Sequence, residues 1–529
     1  MEADVPTARE LTYNTNASAM QMAETIFGDG VTVVGASYTG DSRSSAIYSN
    51  GDALSPDATP GDTGVILSTG YATSFTNSRG DVNTSASTST NTAGVNNNAD
   101  FNAVAGASTY DAAWLDVDFI PTGDTMTISF TFASDEYPEY INSIYNDVVG
   151  VWVNGSFVEL GVGNGNTSVI NVNSQNNENL YVSNTGDAYN TEMDGFTVTM
   201  SLTFPVNPGE VNSIRIGIAD TSDSNYDSNL LIAADSVQTV LIANDDTVRI
   251  DPGSSRTVDV LSNDSNATGG ALTITHINGV AVSAGDTVAL ASGERVTLNA
   301  DGTLTVQTDA EEETVNFTYE VQSADGHTDI GFVTVEVVPC FTAGTRIATP
   351  DGLRAVETLR PGDLVLTQDD GPQPLRWIGR RQVAAEGALA PVRIRAGAFG
   401  AHGDLLVSAQ HRVLVRDPLA ELLFGDPEIL VAAKDLVNGR TVQIAAGGTV
   451  EYVHILFDRH QVVFSEGLAT ESFLPGPHVL GAMEAAVQAE ICAIFPEIDP
   501  ETGAGYSPAA RRMLRSFEAR LWSELSAAA

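Results

Sequence analysis

Two cysteines in 529 residues cannot supply a disulfide framework; Cys340 and Cys492 stand in unrelated contexts, so one bridge is the most the sequence allows. Basic residues are scarce too. With 24 Lys and Arg against 68 Asp and Glu, the formal charge of −44 disfavours nucleic acid or an anionic membrane as partner. No apolar run is long enough to span a bilayer. The first residues, MEADVPTARELTYNTN, lack the basic start and apolar core of a secretory signal. HExxH, CxxC, GxGxxG, the Walker loop and GxSxG are all missing, which removes the usual support for zinc, nucleotide and serine-hydrolase chemistry. What remains is 42% hydrophobic and 7% aromatic, with 48 glycines: a folded, turn-rich chain of two to four domains.

The charge is uneven. Residues 1 to 339 hold 45 acidic and 7 basic groups, and residues 340 to 529 hold 23 and 17, so the regime changes at Cys340. Segments such as AWLDVDFI, TMTISFTFA, VVGVWVNG and SIRIGIAD alternate with the period of two of half-buried strands, which predicts a β-sandwich over 1–240. A short helix is expected at Ala19 to Phe27, and the Ser/Asn/Thr/Gly-rich stretch from 49 to 108 reads as loops and short edge strands. Two acidic loops, one with Asp135, Glu136 and Glu139, the other with Asp220, Asp223 and Asp227, suit calcium, a hard cation that takes six to eight oxygens. Solvated turns in an acidic protein are the other reading.

A second β module, 244–338, has the short strands and DG and GG turns of an immunoglobulin-like sandwich. Residues 340–475 form a third β-rich unit. The tail, 476–529, has helical spacing in AAVQAEICAIF and AARRMLRSFEARLWSEL, with Ser507 before Pro508 as the expected cap of the second helix and Cys492 on the apolar face of the first.

FTFASDEYPEY, NDVVGVWVNG and IADTSDSNYDSNLLI resemble the choice-of-anchor L domain of bacterial surface proteins, and VDVLSNDSN with FTYEVQSADG is similar to cadherin-like repeats of bacterial adhesins. CFTAGTRIATPDGLRAVETLRPGDLVLT resembles the opening block of the Hint superfamily of inteins and hedgehog proteins. LLVSAQHRVLV and VEYVHILFDRHQVVFSEGLATES resemble its later blocks, with Ser408 in place of the usual threonine. That resemblance implies a self-processing domain whose substrate is its own polypeptide: Cys340 attacks the Pro339 carbonyl in an N-to-S acyl shift, and no cofactor is required. Pro339 fixes the backbone just before this bond, which either preloads strain or hinders attack. His411 is the expected proton-transfer group, Ser408 a hydrogen-bonding partner of the scissile peptide, and His454 and His460 further acid/base candidates, with Asp458 placed to orient one of them.

An intein closes on histidine and asparagine, but Glu471-Ser472 stand there. Neither forms a succinimide, so cleavage without full splicing is expected, the thioester being resolved by water or an external nucleophile. The alternative is a non-catalytic adhesion protein whose β domains bind calcium or a surface polymer. Either reading predicts a bacterial protein, secreted or on the cell surface, exported by a route other than a standard N-terminal signal peptide.

Overall fold

The computed structural model describes residues 7–163, 165–250, 254–308, 314–336, 340–385, 390–474, 494–495, 506–514, 518–519 and 522–523. The chain is mainly β, as expected. It divides into two compact units that change over between Thr334 and Val335, with the short segments 247–256 and 307–314 falling in the second.

In the first unit, α1 (Ala19–Ile26) opens with a capping box: Ser18 Oγ accepts from the Gln21 amide, and the Gln21 side chain accepts from the Ser18 amide. One antiparallel sheet places β1 (Val31–Thr39) beside β3 (Thr109–Pro121), then β6 (Asn212–Thr221), then β5 (Val148–Val153). The other runs from β2 (Thr63–Ser68) through β7 (Ser228–Ala233) to β4 (Thr125–Ser134). Alternate residues of both sheets, Leu115, Val117 and Phe119 with Ile214, Ile216 and Ile218 against Ile128, Phe130 and Phe132, fill one core. This is the two-layer sandwich that the period-two pattern predicts.

The stretch from 49 to 108 departs from expectation. β2 lies between two neighbours and is no edge strand, and α2 (Ala99–Ala105) interrupts the loops. The reason is a second apolar layer: Ile66, Leu231 and Ala133 on the outer face of the sheet are covered by Leu11, Tyr48, Phe75 and Phe196 from loops and short strands. An outer face roofed in this way needs apolar residues on both sides of β2, which hides the alternation.

The immunoglobulin-like module contributes β8 (Val315–Gln322), whose Phe317, Tyr319 and Val321 are buried. Its Asp329 is also buried; it accepts from Thr127 Oγ1 at 2.9 Å and from the Ala243 amide at 2.8 Å.

The second unit holds two further sheets. In one, the two-residue strand β9 (Phe341–Thr342) lies between β14 (Thr449–Leu456) and β11 (Leu405–Val407), with β10 (Trp377–Ala384) outside β14. In the other, β15 (Val462–Ser465), β16 (Leu468–Glu471), β12 (Arg412–Arg416) and β13 (Glu428–Ala432) are consecutive. Between β12 and β13, α3 (Pro418–Phe424) starts on the Asp417 cap and stops at Gly425, φ 78°.

The tail corrects one expectation. Arg512–Met513 form a strand, β17, parallel to β13, and Ser507 caps no helix: its hydroxyl accepts from the His460 amide at 2.7 Å. Among the described residues of this second expected helix, helical ones are at 518–519 and 522–523. Leu514, Ala519 and Trp522 join the core of the second unit, and the Trp522 indole N–H donates to Asp417. Apolar spacing marked these residues for burial, but pairing with β13 overrode helix propensity at the start. Cys492 and the first expected tail helix lie outside the described residues, apart from 494 and 495.

Candidate functional site

Strand register builds the site around Cys340. Phe341 pairs with Val453 on one side and Val407 on the other, so one residue back along β9 Cys340 comes opposite both His454 and Ser408. The hydrogen bonds follow that geometry. The Cys340 amide donates to Ser408 Oγ at 2.8 Å, the Ser408 amide donates to the Cys340 carbonyl at 3.0 Å, and Cys340 Sγ lies 3.3 Å from His454 Nε2. All three residues are buried.

Aromatic rings hold His454. Trp377 stacks over the imidazole at 26° with centroids 6.4 Å apart, and Phe473 meets it edge-on at 5.4 Å. Gly379, paired with His454 across β10 and β14, leaves room for this: a Cβ at 379 would stand 2.1 Å from the Trp377 ring. Phe473 is fixed by its amide, which donates to the Ile455 carbonyl.

His411 begins at the turn after Ser408, its amide donating to the Ser408 carbonyl at 3.1 Å. The ring packs on Phe341 with centroids 4.3 Å apart, and neither ring nitrogen has a hydrogen-bond partner. Burial pushes this imidazole down to about 3, with Arg412 adding to the effect, so it is neutral near pH 7.

His460 is held by Ser472 and the tail. The Ala510 amide donates to its Nδ1 at 3.0 Å, so Nδ1 is the acceptor and Nε2 carries the proton, given to the Ser472 carbonyl at 3.0 Å. Burial holds this ring down to about 4 against the opposing pull of the Ser472 carbonyl. Glu471 Oε2 lies 3.6 Å from Nε2, and its Oε1 takes the Arg412 amide at 2.8 Å; burial raises the Glu471 carboxyl despite Arg412.

The shared strand face expected for His454 and His460 does not exist, because β14 ends at Leu456. Asp458 orients neither histidine: both its oxygens are bound by Arg376 at 2.7 Å. Pro339 lies outside the described residues.

The candidate acidic residues Asp135, Glu136, Asp220, Asp223 and Asp227 lie at one end of the sandwich. There, four amides of a Ser/Thr-rich loop hang on buried carboxylates: Thr88 on Asp135, Thr90 on Asp227, Thr92 on Asp111 and Ala93 on Asp41, at 2.6 to 3.2 Å. Asp135 also accepts from the Asp194 amide, and Glu136 accepts from the Asp147 amide at 3.2 Å. Asp223 lies at the loop surface and accepts from the Asn225 amide. Asp220 is buried with both oxygens unpartnered. Asp147, which no motif marks, stands beside it. Its Oδ1 accepts from the Thr221 amide at 3.0 Å and its Oδ2 from Ser228 Oγ at 2.6 Å. Among the described residues, no three His, Cys, Asp or Glu side chains converge as a ready ligand set, and no helix is long and apolar enough to cross a membrane.

Comparison with known families matches residues 10–238 to the Choice-of-anchor L domain, 238–336 to a bacterial Ig domain and 339–477 to the Hint domain. Among solved structures, the chain is similar to the MchDnaB-1 intein at 15% identity, covering 25% of this chain and 98% of that one, TM-score 0.18. It is also similar to a bacterial intein-like domain from Clostridium thermocellum at 18% identity, with coverage of 25% and 97% and TM-score 0.19. No curated protein matches the chain.

Proposed function

The chain contains a Choice-of-anchor L domain, a bacterial Ig domain and a Hint domain, and from that premise we propose that it cleaves itself on the N-terminal side of Cys340. The observation that carries this reading is the pairing of Cys340 with two partners at once, His454 at the sulfur and Ser408 at the amide nitrogen.

The step is an isomerisation. His454 takes the thiol proton, the sulfur adds to the preceding carbonyl carbon, the C–N bond breaks, and the Cys340 nitrogen leaves as an amine carrying one more proton. Sulfur is a competent nucleophile only as thiolate, which is the reason for a base at Sγ. Ser408 and His411 serve the leaving nitrogen. Ser408 touches its N–H directly, and His411, with both ring nitrogens uncommitted, follows on the same turn. Water then attacks the thioester, giving a carboxylate at residue 339 and a free Cys340 thiol on the second fragment. Ser472, whose carbonyl is already bound by His460, offers no amide side chain for the cyclisation that would release a C-terminal partner. The released portion carries the Choice-of-anchor L and Ig domains, which favours a product displayed outside the bacterial cell.

The test is the intact mass of the full chain incubated with and without dithiothreitol, beside Cys340→Ala. Two fragments meeting at 339/340, accelerated by thiol and lacking in the variant, are expected. One unbroken mass in the wild type after long incubation with thiol or hydroxylamine defeats the reading.

A further inference from the structure

Asp220, next to last in β6, is 1% exposed and both of its carboxylate oxygens lack a hydrogen-bond partner. The charges that act on it are other carboxylates, Asp147 most strongly, then Asp227 and Asp111. The neighbouring Thr69 hydroxyl is already engaged: it accepts from the Ser228 amide at 2.9 Å and turns to the Ser228 carbonyl at 3.4 Å. Asp227 is buried as well. Its Oδ1 takes the Thr90 amide, while Oδ2 has no partner. Space beside that oxygen exists because residue 70 is glycine; a Cβ there would stand 1.9 Å from it.

Carboxylate oxygens are acceptors only, and a buried one with neither donor nor counter-charge is among the costliest groups a fold can hold. Among the described residues, no arginine, lysine or histidine pairs with Asp147, Asp220 or Asp227. Two remedies are chemically open, a proton shared between carboxyls or a cation. The carboxylates come from one strand end, Asp220, and from the residues just before two strand starts, Asp147 and Asp227; the pairing of Val148 with Ala219 sets Asp147 opposite Asp220, and the loop amide of Thr90 is tied to Asp227.

We propose that Asp147, Asp220 and Asp227 form a site for a hard divalent cation of the calcium class. The donors are all oxygen, the kind such ions select over softer metals. The three carboxylates do not close into a ligand set by themselves; the cation is the element that gathers them. Burial raises all three carboxyls in its absence, which is the same electrostatic cost seen from the proton's side. Asp135 and Asp223 fall outside the site: Asp135 is turned to the Thr88 and Asp194 amides and is not among the carboxylates that act on Asp220, and Asp223 sits at the loop surface. What the sequence marks as two acidic loops thus narrows to Asp220 and Asp227, joined by Asp147.

The test uses the full chain carrying Cys340→Ala so that it stays whole, freed of metal with chelator and scanned by calorimetry near neutral pH with calcium chloride or magnesium chloride. Calcium is expected to raise the first unit's melting temperature by roughly 5–10 °C at a hundredfold excess over its dissociation constant. Titration calorimetry should return one ion per chain. Asp220→Asn should abolish the rise while itself raising the metal-free melting temperature, since it removes one of two facing charges; Asp223→Asn should leave the rise intact. A calcium response that survives Asp220→Asn overturns the site. So does a chain with no calcium heat and no shift, whose metal-free stability simply falls as pH rises; the pair then shares a proton.

Discussion

The acidic end of the first unit and the pocket around Cys340 both keep titratable groups out of water, but with opposite signs. In the second unit two buried histidines are bases held neutral by losing affinity for the proton: His411 down to about 3 and His460 down to about 4, both chiefly through burial. At the sandwich end and in the Ig module the buried groups are acids pushed the other way, Asp135 to about 8 and Asp329 to about 7, again chiefly by burial. Desolvation disfavours the charged form whichever sign it carries. A fold can use that rule to keep an uncharged proton carrier beside a nucleophile, or to hold carboxyls ready for amides and cations.

The largest effect expected from breaking this comparison is at the thiol. His454→Ala should slow cleavage by roughly 10²–10⁴-fold, the range for losing a general base. Raising the pH should restore part of the rate, because hydroxide then replaces the base in forming the thiolate. His411→Ala should also slow cleavage, but with no recovery at high pH if it serves the nitrogen rather than the sulfur. Pseudo-first-order rates from fragment masses across pH decide between the two roles.

Next in size is a split in pH response between the units. In the second, the unfolded chain binds protons on His411 and His460 from about pH 6.5 downward while the folded form resists until about 3 and about 4 respectively. Its unfolding free energy should therefore fall as pH drops through that window, by up to roughly 1.4 kcal/mol per pH unit for each histidine. In the first, with chelator present, the folded form keeps protons on Asp135 and Asp329 that the unfolded form has released above about pH 4. Stability there should fall as pH rises from about 4 to 8. Calorimetric transitions shifting in parallel would refute the contrast.

Ser408→Ala should cost about 1–3 kcal/mol in the second unit by removing the hydroxyl that accepts from the buried Cys340 amide, and should slow cleavage less than His454→Ala. The smallest change is at Gly379. Alanine there pushes on the Trp377 ring and loosens the stack over His454, so a rate loss of about tenfold or less with the fold retained is expected.

Much of this was legible in the chain. The charge change at Cys340, the period-two strands, the helix at Ala19 and the five candidate residues around the Hint blocks are local patterns, and local patterns survive in a sequence. Division of labour among those residues was not legible. His454 and His460 are six apart, which suggests one face, yet β14 stops between them and His460 turns to Ser472 and the tail. Asp147 was missed altogether because a lone aspartate ahead of VVGVWV has no motif. Its partner Asp220 is 73 positions away in sequence and meets it only through the pairing of β5 with β6.

By itself the sequence determined the β architecture, the order of the three domains and the chemistry on offer: one thiol in a Hint-like opening, histidines in its blocks and an excess of carboxylates before it. These follow from side-chain periodicity, turn residues and composition, which act over a few residues at a time. Only the tertiary structure decided that His454 faces the sulfur and Ser408 the nitrogen, that the tail completes the second unit's core, and that Asp147 joins Asp220. Each of those is a long-range pairing fixed by strand register, and a register is set by the whole core at once.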